Sequence, residues 1–168
     1  MKQFVIFYYI LLSVLFSCKD KSKEPYIIPE NVIHLLTADS VKSWKIAKRY
    51  NGKTRMNMGN CFLGYRLRFR ESGLLSDNNG LQKDCGPSLE ATWEITTSEK
   101  GAYFLKFKSD QIPGLLNQES DEKFFKILYI SEDSLTLSYV HKQFNQRRRI
   151  TDYMVREDVE VKDREFHW

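Results

Sequence analysis

The sequence is poor in the residues that build catalytic and metal centres. It has three cysteines and three histidines among 168 residues. No Cys-x-x-Cys, His-x-x-x-His or His-Glu-x-x-His spacing occurs that would gather ligands around zinc. A Gly-x-Ser-x-Gly elbow and a glycine-rich phosphate loop are missing as well. His34, His141 and His167 lie far from one another in the chain and read as solvated or core-edge residues. The expectation is therefore a protein that is not an enzyme and holds no cofactor and no metal. Eight glycines and four prolines exclude collagen-like or linker sequence, and an apolar content of 42% excludes a disordered chain. A large excess of one charge sign is also absent. With 26 Lys+Arg against 22 Asp+Glu the formal net charge is +4, too small to argue for nucleic acid as a partner. The length fits one ordinary domain.

A long hydrophobic run is lacking, but a short one opens the chain. After Met1-Lys2-Gln3, residues 4–16 contain no charge, glycine or proline. A helix of that length reaches about 20 Å, short of the roughly 30 Å hydrocarbon core. A basic start, a short apolar run and a small residue describe a secretory signal peptide. Its end, Leu15-Phe16-Ser17-Cys18, resembles the lipobox of bacterial lipoproteins. The resemblance implies a signal peptide over residues 1–17, lipidation of Cys18 and a membrane-anchored mature chain. Residues 18–30 then begin with Cys18 and a charged stretch too polar to pack, a flexible tether. Lys19 followed by Asp20 does not resemble an inner-membrane retention signal, so the expected location is the outer membrane, with the periplasmic or surface face left open. In an exported chain Cys61 and Cys85 have one possible intramolecular pairing. The alternatives are two free buried thiols or a metal pair.

The rest, residues 31–168, reads as a β-rich domain. Aromatics make up 14% of the chain, in keeping with strands. Residues 43–50 set Trp44, Ile46 and Lys48 against Lys45, Ala47 and Arg49. Residues 62–70 place Leu63, Tyr65, Leu67 and Phe69 opposite Arg66, Arg68 and Arg70, a period of two. Residues 91–98 and 102–108 flank Glu99-Lys100-Gly101, and residues 123–131 and 134–141 flank Glu132-Asp133, two hairpins. Residues 147–156 give a last strand, and a short one is expected near Leu74. Asn31–Leu36 and the stretch around Pro113-Gly114 read as brief helical turns. Many short strands joined by hairpins suggest a closed barrel or a sandwich.

The segment from Leu35-Leu36-Thr37 to Lys42-Ser43-Trp44-Lys45-Ile46, with the spaced Cys61 and Cys85, Phe69, Gly73 and Trp93, resembles the lipocalin-like lipoproteins of Bacteroidetes. The Gly-x-Trp of many lipocalins is here Lys42-Ser43-Trp44. The resemblance implies an all-β, antiparallel, up-and-down barrel of about eight strands and no established activity. It also implies that Trp44 plugs one barrel end under an Arg, with Arg148, Arg149 and Arg156 as candidates. Such a barrel holds packed side chains or one small ligand. Interior candidates are Trp44, Tyr65, Leu67, Phe69 and Trp93, then Tyr103, Leu105, Phe107, Tyr129 and Tyr139. The leading expectation is an envelope lipoprotein that binds a small apolar ligand inside the barrel. The alternative is a filled barrel acting through its surface on a protein, glycan or anionic lipid, with Arg147, Arg148 and Arg149 beside Arg66, Arg68 and Arg70 as a candidate basic patch.

Overall fold

The computed structural model describes residues 26–143 and 146–165. Cys18, the signal peptide and the first residues of the tether lie outside that range. Nine strands follow in order: β1 (Val41–Asn51), β2 (Thr54–Arg55), β3 (Arg66–Arg70), β4 (Leu74–Asp77), β5 (Glu90–Thr97), β6 (Tyr103–Lys108), β7 (Glu122–Ile130), β8 (Ser134–Gln143) and β9 (Gln146–Arg156). Three short helices accompany them: α1 (Val32–Thr37), α2 (Asn60–Gly64) and α3 (Ile112–Leu116). The two-residue β2 only extends a hairpin on β1. The other eight strands pair in chain order, each antiparallel to the next, and β9 returns to β1. The result is a closed up-and-down barrel, which leaves no open sheet edge.

The two barrel ends differ. Tight connections at 71–73, 98–102 and 131–133 gather at the end where β1 starts and β9 finishes; Gly73, at φ 79°, makes the first of them. The long connections, 52–65, 78–89 and 109–121, gather at the other end. Helix α1 plugs the tight-turn end. It buries Leu35 and Leu36, and the Trp44 indole N–H donates to the Leu36 carbonyl at 3.2 Å. The cation over the Trp44 ring is Lys42, 4.6 Å from the ring centroid, and not one of the three arginines. Lys42 precedes Trp44 by two residues, so both point inward on the same strand. Its side chain is only 4% exposed, and the ammonium donates to the carbonyls of Leu35 and Glu132. Arg156 instead pairs with Asp133 and Asp158 on the surface.

Four features depart from the sequence reading, three of them in the alternating pattern. The stretch 60–64 is helical, so the strand expected over 62–70 begins at Arg66, where pairing with Lys45 starts. A bulge between Ile46 and Lys48 turns Arg49 inward and Lys48 outward, the reverse of simple alternation. A second bulge, between Ile127 and Tyr129, carries Tyr129 to the outer face. Tyr129 is therefore no interior residue; it is 48% exposed. Finally, the packed chain starts before residue 31. The Tyr26 hydroxyl donates to the Ile130 carbonyl and accepts from the Ile130 N–H, and its ring lies 6.0 Å from that of Tyr129.

Candidate functional site

The barrel interior is built in two layers. From the plugged end to mid-barrel it is filled. Trp44, Leu67, Phe69, Trp93, Leu105 and Phe107 are all buried. Their rings form a column in which Trp93 meets Phe69 edge-on at 5.4 Å, Phe69 meets Phe107 at 5.9 Å and Phe107 meets Phe125 at 4.5 Å. Such pairs contribute about 0.5–1.5 kcal/mol each beyond their buried area. The column ends where Phe125 meets Tyr139 at 4.9 Å. Tyr103, also inward, packs on the core from the tight-turn side.

Above Phe125 the interior turns polar, towards the long loops. Arg49 of β1 makes a two-pronged ion pair with Asp152 of β9, at 2.6 and 2.7 Å. Both groups are largely buried. The Tyr139 hydroxyl donates to the same carboxylate at 3.3 Å. Burial opposes the Arg49 charge, but the Asp152 hydrogen bonds outweigh it and hold the guanidinium above its ordinary range. Burial pushes the Tyr139 phenol up, and the Asp152 carboxylate adds to that. Lys123 of β7 reaches in beside Tyr139 and donates to the Val140 carbonyl at 2.8 Å. Burial lowers its pKa, and burial together with the Lys123 and Arg49 charges lowers that of His141.

Tyr65 stands apart within this cluster. Burial, followed by the Asp77 carboxylate, raises its phenol well above the ordinary value. Among the described residues nothing accepts or donates a hydrogen bond to its hydroxyl. The hydroxyl lies at the loop end of the barrel beside the Arg49, Tyr139 and Asp152 groups.

Helix α2 covers part of this mouth. Phe62 lies 4.2 Å under the Arg49 guanidinium, and Phe62 and Leu63 pack on the core. The helix is held from the neighbouring 78–89 loop in two ways. Cys61 and Cys85 form a disulfide, and the Asn78 amide donates to the Gly64 carbonyl while its oxygen accepts from the Arg66 N–H. The free-thiol and metal-pair alternatives fall away.

Of the ten interior candidates, nine point inward and Tyr129 does not. Sequence alternation missed Arg49, Asp152 and Lys123, because charged residues in a period-two strand read as the solvent face. Two shallow recesses open to solvent elsewhere. One, about 440 Å³, is lined by Arg70, Ser76, Glu90 and Lys108 at the short β4; the other, about 520 Å³, by Asn51, Arg55, Met56 and Arg148. Neither is lined by a residue of the mouth cluster. The basic run divides: Arg148 hydrogen-bonds Gln146, while Arg149 stands on the outer face. Arg66 pairs with Glu157 at 2.9 Å.

A closed eight-stranded antiparallel meander, plugged at one end and looped at the other, defines the lipocalin-like class of barrels. The chain is similar to a lipocalin-like protein from Bacteroides uniformis, with 14% identity, 70% of this chain and 97% of that chain covered, and a TM-score of 0.47. It is also similar to bovine odorant binding protein in complex with a selenium-containing odorant, with 14% identity, 83% and 80% of the two chains covered, and a TM-score of 0.38. No family model matches the chain and no curated protein matches it in sequence. The barrel assignment rests on the strand order itself.

Proposed function

We propose that this protein is a non-catalytic lipoprotein of the bacterial cell envelope, anchored in the outer membrane through Cys18, that binds a small ligand at the barrel mouth. The observation that carries the reading is the Tyr65 hydroxyl, which none of the described residues hydrogen-bonds and which lies among the Arg49, Tyr139 and Asp152 groups at the loop end of the barrel. The filled column below restricts the ligand to the mouth. The Arg49–Asp152 pair neutralises itself, and burial with the Lys123 and Arg49 charges disfavours the charged form of His141. The ligand that fits is largely apolar with one hydrogen-bonding group for Tyr65. The test is native mass spectrometry of the protein produced in an oxidising compartment, compared with the same sample denatured. An excess mass lost on denaturation, and reduced in Tyr65→Phe, is the expected outcome.

A second reading, a filled barrel acting through its surface, draws on the aromatic column from Trp93 to Tyr139. An unliganded mass that takes up nothing from an envelope lipid extract decides for it.

A further inference from the structure

The outer face of β7, β8, β9 and β1 is a part of the surface that the mouth leaves unexplained. The register sets its residues in rows. Tyr129, Thr136, Tyr153 and Lys48 are successive partners across the four strands. Lys126, Ser138, Thr151 and Tyr50 form the next row, and Val140 pairs with Arg149 above them. No carboxylate occurs in these rows. Thr136 and Ser138 are buried, while Tyr129 and Tyr153 rise on either side, 48% and 44% exposed. The two rings stand two strand spacings apart, about 10 Å.

Both rings are held in place. Tyr153 meets Tyr50 edge-on at 5.6 Å, and Tyr129 rests on Tyr26, which is pinned to the Ile130 backbone. Fixed aromatic walls lower the ordering cost of binding. The cations here are also unspent. Among the described residues Lys48, Lys126 and Arg149 have no acidic partner, whereas Lys106, Lys108, Arg66 and Arg156 are all paired with carboxylates.

We propose that this face binds an anionic polysaccharide, with sugar rings lying on Tyr129 and Tyr153 and acid groups meeting Lys48, Lys126 and Arg149. Charge complementarity selects the acid groups. Two fixed aromatic rings about 10 Å apart, with unpaired cations beside them, suit sugar rings that carry acid groups. The site is separate from the mouth and does not depend on a ligand there.

The experiment is isothermal titration calorimetry of the purified protein with alginate oligosaccharides, with neutral dextran oligosaccharides and with poly-glutamate. The expected result is binding of alginate alone, weakened by added salt. Tyr153→Ala and Arg149→Glu each lose about tenfold in affinity, some 1.4 kcal/mol, while Tyr153→Phe keeps it. Arg149 is exposed and far from the core, so its variant tests binding without endangering the fold. Absence of alginate binding overturns the proposal. So does dextran or poly-glutamate binding as well as alginate, or unchanged affinity in Tyr153→Ala and Arg149→Glu.

Discussion

At the residue scale, the mouth is governed by one buried ion pair. Replacing Asp152 by Ala leaves the Arg49 guanidinium without its carboxylate and the Tyr139 hydroxyl without its acceptor. The expected loss is about 3–5 kcal/mol, read as a lower urea midpoint at unchanged slope. The neighbouring phenols make stability fall in alkali. Tyr65 and Tyr139 both have folded-state pKa values above the unfolded value of about 10. The folded state therefore keeps its protons while the unfolded chain loses them. This stabilisation is whole below pH ~10 and is lost progressively above it. Urea denaturation across that range is expected to show a downward trend that Tyr65→Phe and Tyr139→Phe each reduce. This chemistry was hidden in the sequence because Arg49 and Asp152 lie on strands that read as charged outside and apolar inside. The single extra residue at Ala47 moves Arg49 to the other face, and a bulge leaves no mark in a residue pattern. Tyr129 was misread for the same reason on β7.

At the element scale, the hairpins were legible and the covering helix was not. Turn residues between alternating runs placed β5–β6 and β7–β8 within a residue or two. Helix α2 is only five residues long, and Phe62 and Leu63 continue the alternation of β3. Its conformation is set by what holds it, the Cys61–Cys85 disulfide and the Asn78 clamp. Reducing the disulfide releases a closed loop of 24 residues' separation. By the chain-entropy argument this costs roughly 3 kcal/mol. Denaturation with and without a thiol reductant is expected to show that difference, with Cys61→Ser matching the reduced protein. Equal midpoints would mean that Asn78 alone fixes the helix.

At the scale of the whole molecule, the proposed lipid anchor would give the two ends of the barrel different surroundings. Tyr26 is fixed at the plugged end through Ile130. With Cys18 acylated, seven residues lie between the anchor and that point, a reach of at most about 28 Å. If Cys18 is acylated, as proposed, a chain this short tethers the plugged end within that distance of the bilayer, and the long loops around Tyr65 and Arg49 are expected to face away from it. A ligand would then enter from the aqueous side, without crossing the lipid surface. Two measurements follow. Cys18→Ala is expected to move the protein from the membrane to the soluble fraction, and retention in the membrane would remove the lipid anchor from the account. Single fluorescent labels on Gly114→Cys in α3 and Asp133→Cys in the β7–β8 turn then report orientation in vesicles with quencher-labelled headgroups. A side chain at Gly114 points into open space, and Asp133 is exposed, so neither label disturbs the barrel. The label at 133 is expected to be quenched more strongly than the label at 114. The reverse order would place the mouth against the bilayer and make the lipid phase itself the source of the ligand.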